Sequence, residues 1–258
     1  MVKRHAPDTV AGHPLDDIVV EADRIIEAVG AAGIPARLTG GVAIRRRCQS
    51  ATREPLARTY ADVDMVVKAG GQDALTEVMV ELGYVPNRNF NLLHGSERLY
   101  FLDLDHGRHV DVFVGSIRMC HTLDMSARLE RLDDTLTVTD LLLTKLQVVE
   151  LNRKDLVDLI ALLLDHEISA EGNDDIDAGY LAQLLRSNWP LWRTCQLTLG
   201  KVLSQANDIL PVEAAVRVGK RVATLQDLLD DIPKTRVWKL RAVIGDRVRW
   251  YNLPDEVE

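Results

Sequence analysis

The segment DVDMVV at residues 62–67 constrains this chain more than any other. Two carboxylates one residue apart sit in a run of Val and Met that otherwise has the composition of a buried strand. On an extended backbone residues i and i+2 face the same way, roughly 7 Å apart, so Asp62 and Asp64 project together while Val63 and Met65 take the opposite face. Asp111, in the apolar run HVDVFV, falls on another expected strand and brings a third carboxylate to the same edge. Three such groups repel one another unless a hard cation meets them. Mg²⁺ suits carboxylate oxygens and fills its remaining positions with water and substrate phosphate, with Mn²⁺ as the alternative ion.

Around these strands the pattern alternates helix with strand up to about residue 115. Ile18, Ala22, Ile25, Ile26 and Val29 have helical spacing between Pro14 and Gly30, PARLTG reads as a short strand, and a helix after Gly70-Gly71 ends near Gly83. RLYFLDLDHGRHVDVFV reads as two strands joined by a turn at residues 105–108, with Asp103 and Asp105 as turn residues. Beyond Gly115 the strand signal fades, and TVTDLLLTKLQVVELNRKDLVDLIALLLDHE holds two helical patterns, the first capped by Thr139 or Asp140. The polar stretch SAEGNDDIDAG, residues 169–179, is the linker candidate, and a mostly helical segment with Trp189, Trp192, Trp238 and Trp250 follows. The pattern predicts an α+β fold: a mixed β-sheet with flanking helices in a domain of residues 1–168, then a helical C-terminal domain of residues 169–258.

Gly40-Gly41 closes a strand and opens a helix near Val42, leaving no Cβ to keep phosphate oxygens from backbone N–H groups at the helix start. Arg45, Arg46, Arg47, Arg53 and Arg58 follow with only Glu54 opposing them, a store of countercharge for a polyphosphate. In this order TGGVA, DVDMVV and VDVFV resemble the polymerase-β-like nucleotidyltransferase superfamily, over about residues 34–165. The wider resemblance is to aminoglycoside nucleotidyltransferase-like proteins and to the abortive-infection type IV toxin nucleotidyltransferases. In the latter a lysine helix and a downstream Asp-x-x-Asp motif look like TKLQVVELNRKDLVDL, with Lys145, Asp155 and Asp158. Val42 stands where the superfamily usually has Ser or Thr, and the Gly-to-Asp interval is long.

The resemblance implies transfer of an NMP from an NTP such as ATP to an acceptor hydroxyl or phosphate on a small molecule, RNA or protein. Asp62, Asp64 and Asp111 would be the catalytic and metal-holding carboxylates, and Gly40, Gly41, Arg45, Lys145, Asp155 and Asp158 the nucleotide and phosphate contacts. Its toxin branch would add an antitoxin as partner. Two alternatives stay open: a non-catalytic nucleotide- or RNA-binding module on the same fold, and a glycosyltransferase that uses Asp-x-Asp on a nucleotide-sugar.

A net charge of -8 speaks against a chain whose whole surface binds nucleic acid. One basic and aromatic segment, KTRVWKLRAVIGDRVRWYN, has the residues of an RNA surface, although its tryptophans equally suit packing on a helical bundle. The three cysteines are odd in number and scattered, as expected of reduced thiols in a cytoplasmic protein. The N-terminal residues lack an apolar targeting core and no apolar run has membrane-spanning length, so no membrane is expected as a partner.

Overall fold

Hydrophobic periodicity sets the elements, and strand pairing decides which residues share a face. The computed structural model describes residues 12–130, 133–170, 172 and 174–253. The N-terminal targeting question thus falls largely on residues 1–11, outside the described residues. Two compact units divide the chain: Met1–Val42, Tyr60–Ser116 and Asp124–Thr135 form the first, and Ala43–Thr59, Ile117–Leu123 and Leu136–Glu258 the second.

In the first unit, α1 (Ile18–Ala31) begins where Asp17 accepts hydrogen bonds from the backbone N–H groups of Val19 and Val20, and it buries Ala22, Ile25, Ile26 and Val29. The chain continues through β1 (Ala36–Thr39), α2 (Gly40–Arg47, of which residues from Ala43 on belong to the second unit), β2 (Asp62–Val67), α3 (Gln72–Glu81), β3 (Val85–Pro86), α4 (Arg88–His94), β4 (Arg98–Asp103) and β5 (Arg108–Val114). The five strands form one mixed sheet in the order β1-β2-β5-β4-β3, in which only β2 and β5 run parallel. The turn between β4 and β5 is locked by Asp103, which accepts from the backbone of Asp105 and His106 and from the Arg108 guanidinium.

Register makes this sheet two-faced. Leu38 pairs with Met65, Met65 with Val112 and Val112 with Leu99, so one face carries Leu38, Val63, Met65, Val67, Leu99, Phe101, Val110, Val112 and Val114, all buried. Helix α1 packs on β1 and β2 and touches α3, which packs on β3. Burying each such side chain contributes about 1.5–3 kcal/mol, which fixes the register against a one-residue slip. The other face carries Thr39, Asp62, Asp64, Arg98, Tyr100, His109 and Asp111.

After β6 (Ser116–Arg118) and β7 (Thr122–Asp124), the second unit is mainly helical: α5 (Val138–Leu146), α6 (Arg153–Asp165), α7 (Ala178–Leu185), α8 (Trp189–Ile209), α9 (Val212–Asp231) and α10 (Arg236–Ile244). The expected cap of α5 needs correction. Thr137 caps it, accepting from the Asp140 backbone N–H and donating to the Asp140 carboxylate, which places Thr139 and Asp140 inside the first turn. Of the polar stretch 169–179, residues 171 and 173 lie outside the described residues; flanking them, β8 (Ile168–Ser169) and β9 (Ile176–Asp177) pair in parallel. Helices α8 and α9 pack along each other, and Leu199 and Val202 of the first and Val218, Val222 and Leu225 of the second are buried. Together these elements are an α+β fold with a mixed sheet, flanking helices and a helical C-terminal region. No helix among the described residues is long and apolar enough to cross a membrane.

Candidate functional site

The polar face of the sheet gathers Asp62, Asp64 and Asp111 for a topological reason. Because β2 and β5 are parallel neighbours, Asp64 lies opposite Asp111 and Asp62 opposite His109. Asp62 and Asp64 are partly exposed, whereas Asp111 is 5 % exposed. Neighbouring strands lie about 4.8 Å apart, so the Asp64 and Asp111 charges would repel strongly without a counterion.

Part of that counterion is Arg98. It comes from β4, where alternation with Leu99 turns Arg98 and Tyr100 to the carboxylate face. Its Nε donates to Asp111 Oδ1 at 2.7 Å and its Nη2 donates to Asp111 Oδ2, a bidentate pair. The guanidinium also lies over Phe113 and Phe90, 5.3 and 5.9 Å from the ring centroids. Its pKa is raised, first by the hydrogen bond to Asp111 and, against the cost of burial, by the charges of Asp111 and Asp64. Tyr100 stacks on His109 with centroids 4.8 Å apart, and His109 Nε2 lies 3.8 Å from Asp62 Oδ2. Burial, then Asp111, raises the Tyr100 phenol.

Gly40 meets Asp64 directly. Its φ of +66° is a left-handed conformation, and a Cβ added there would lie 1.8 Å from Asp64 Oδ2. The glycine thus lets the first turn of α2 close over the carboxylate. Thr39, opposite Asp64 in the β1–β2 register, is 3 % exposed, and its Oγ1 has no hydrogen-bond partner among the described residues. Gly41 is buried within α2, and Arg45 is half-buried in its last turn.

For a divalent cation the donor set fits at Asp62 and Asp64: two carboxylates on one face, beside a glycine cradle that a Cβ would fill and an orphaned buried hydroxyl. Among the described residues no three His, Cys, Asp or Glu side chains gather into a metal-ligating group. Asp111 is the carboxylate that Arg98 engages.

Lys145, Asp155 and Asp158 form a cluster of their own in the second unit. Lys145, near the end of α5, places its Nζ 2.7 Å from Asp155 and 3.0 Å from Asp158, which lie one turn apart at the start of α6. Arg58 donates its Nε and Nη2 to the other side of Asp158 at 3.0 and 2.9 Å. Two cations balance two anions. Burial alone would lower the Lys145 pKa, but Asp158 and Asp155 outweigh it and hold the ammonium well above the usual lysine range.

Sequence reading missed Arg98, Tyr100, His109 and Thr39. A period-two signal for Arg98 and Tyr100 is present in RLYFLD, and register supplies the rest.

No protein-family model matches the sequence, and no curated protein matches it. Among solved structures the chain is similar to an H. pylori protein bearing the provisional name nucleotidyltransferase, at 12% identity and a TM-score of 0.37, over 84% of this chain and 98% of that one. It is also similar to JHP933 from Helicobacter pylori, at 13% identity and a TM-score of 0.35, over 89% of this chain and 99% of that one. Both scores lie below 0.5, and the reading of the site rests on its own geometry.

Proposed function

We propose that the chain is a divalent-metal-dependent nucleotidyltransferase, moving an NMP from an NTP to an acceptor and releasing pyrophosphate. The observation that carries this reading is the parallel β2–β5 register, which sets Asp62, Asp64 and Asp111 on one face with Gly40 pressed against Asp64. Asp62 and Asp64 would hold Mg²⁺ or Mn²⁺, which when bound supplies positive charge to the triphosphate and the leaving pyrophosphate. The N–H groups opening α2 at Gly40 and Gly41 would receive phosphate oxygens. The buried Thr39 hydroxyl would donate a hydrogen bond beside them, a role that Val42 cannot fill. Asp111, fixed by Arg98, would orient the acceptor group.

Lys145 is drawn to two roles. As a phosphate contact it would have to give up part of its pairing with Asp155 and Asp158; as it stands, it ties α5 to the start of α6. The non-catalytic alternative keeps one supporting observation, the engagement of Asp111 by Arg98. The proposal places the protein in the cytoplasm, where its buried free thiols Cys48, Cys120 and Cys195 stay reduced. It leaves a small molecule, RNA or protein as acceptor and includes an antitoxin partner.

Incubating the protein with each labelled NTP and Mg²⁺, with and without total RNA, tests the reading. Label transfer by the wild type and a loss of roughly 10²-fold or more in Asp64→Asn are expected. Equal labelling by both proteins would overturn it, as would nucleotide binding without any transfer under all conditions.

A further inference from the structure

We infer that the second unit carries a small-molecule site of its own, in the cleft between residues 120–122, the start of α8 and the C-terminal segment 248–252. Its ligand is a small anion with a flat ring, either a nucleoside monophosphate or an aromatic carboxylate. The site uses no residue of the carboxylate face and needs no metal.

The cleft encloses about 410 Å³, within the roughly 300–1,000 Å³ of small-molecule sites. Its walls are tied together without a ligand. The Asn252 N–H donates to the Cys120 carbonyl at 3.0 Å, and Trp250 Nε1 donates to Thr194 Oγ1 on α8, also at 3.0 Å. Arg241 of α10 donates to the carbonyls of Gly245 and Val248 at 2.9 and 3.2 Å, so little ordering remains to oppose binding. Three groups then have capacity to spare. Arg249 is exposed at the rim; among the described residues its guanidinium meets only the Tyr251 ring, 5.9 Å from the centroid, with no ion pair or hydrogen bond. Tyr251 is half-buried and stands edge-on to Trp250. His121 is 7 % exposed; its Nε2 meets Thr194 at 2.8 Å, while its Nδ1 has no partner among the described residues. Burial keeps that ring neutral, which makes it a polar contact and not a second charge. No Asp or Glu among the described residues lines the cleft, so an incoming anion meets Arg249 without a competing carboxylate. A bare inorganic anion would leave the Trp250 and Tyr251 rings uncovered, and an uncharged ring would leave Arg249 unused. A flat body with a charge at one end satisfies both.

Calorimetric titration of the full chain in EDTA tests the site, because metal-held nucleotide at the carboxylate face is then absent. The probes are adenosine 5′-monophosphate, indole-3-carboxylate, adenosine, inorganic phosphate and a short RNA oligonucleotide. One of the two ring-bearing anions is expected to bind with a Kd below about 1 mM, and which of them does so names the source of the ligand. Adenosine and phosphate are expected to bind at least about tenfold more weakly. Arg249→Gln, at an exposed position, is expected to weaken the ring-bearing anion at least about tenfold. Arg247→Gln, equally exposed but outside the lining, is expected to change it less than about twofold. Tyr251→Leu is expected to weaken the ring-bearing anion and leave phosphate unchanged. Failure of both ring-bearing anions, binding that Arg249→Gln leaves unchanged, or phosphate binding as tightly as either would overturn the assignment. Binding of the RNA alone, lost in Arg249→Gln, would overturn it in favour of a nucleic-acid surface.

Discussion

At the scale of single residues, Gly40 is an exacting position in the first unit. Two independent effects oppose any side chain there: a backbone at φ +66° and an Asp64 oxygen 1.8 Å from the added Cβ. Gly40→Ala is expected to lower unfolding free energy by about 1–3 kcal/mol in urea melts and to reduce Mn²⁺ affinity, because Asp64 must move. Lys145 offers the parallel case in the second unit. Lys145→Ala leaves Asp155 and Asp158 with Arg58 as their remaining cation in the cluster, so a loss of about 3–5 kcal/mol is expected, measured by the same melts. Adding Asp158→Asn should recover part of it. A Lys145→Ala protein of unchanged stability and weakened NTP binding would instead favour phosphate contact.

At the scale of elements, β2 divides its residues by face. Met65→Ala, on the buried side, is expected to cost about 2–5 kcal/mol, whereas Asp62→Asn should leave metal-free stability unchanged or slightly higher by relieving repulsion. Thermal melts without metal distinguish the two. A second element-level expectation concerns pH. His121 is buried, its Nε2 shares a hydrogen bond with Thr194 Oγ1 on α8 at 2.8 Å, and burial lowers its pKa to about 4. The folded state thus keeps the ring neutral while the unfolded chain binds a proton near pH 6.5. Its contribution is complete above about pH 6.5 and declines as pH falls towards 4, by roughly 3 kcal/mol. His121→Gln should flatten the stability profile between pH 6.5 and 4; an unchanged slope there would exclude His121 as its source.

At the scale of the whole molecule, an excess of 39 acidic over 31 basic residues works against polyanions. Within the C-terminal basic segment, Arg241 and the two tryptophans are committed locally. Arg241 lies 4.3 Å over the Trp189 ring and donates to the carbonyl of Gly245, Trp250 donates to Thr194, and Trp238 meets Trp192 edge-on. The full chain should therefore elute from heparin below about 0.15 M salt, with a shallow salt dependence for total RNA. Retention well above that would mark a basic surface that the net charge conceals.

What the sequence determined by itself is periodic. Alternation in DVDMVV and HVDVFV was enough to put Asp62 and Asp64 on one face, to name Asp111 and to place the strands. The 3.6-residue pattern located the long helices because both signals are properties of consecutive residues. Tertiary structure decided which charges meet. Arg98 reaches Asp111 through the β4–β5 register, Arg58 reaches Asp158 across 100 positions, and Thr39 faces Asp64 only because β1 runs antiparallel to β2. Ion pairing falls off over a few ångströms of space and is indifferent to distance along the chain, so a run of arginines announced countercharge without saying which of them would supply it. Arg98, which pairs with Asp111 on that face, stood outside that run.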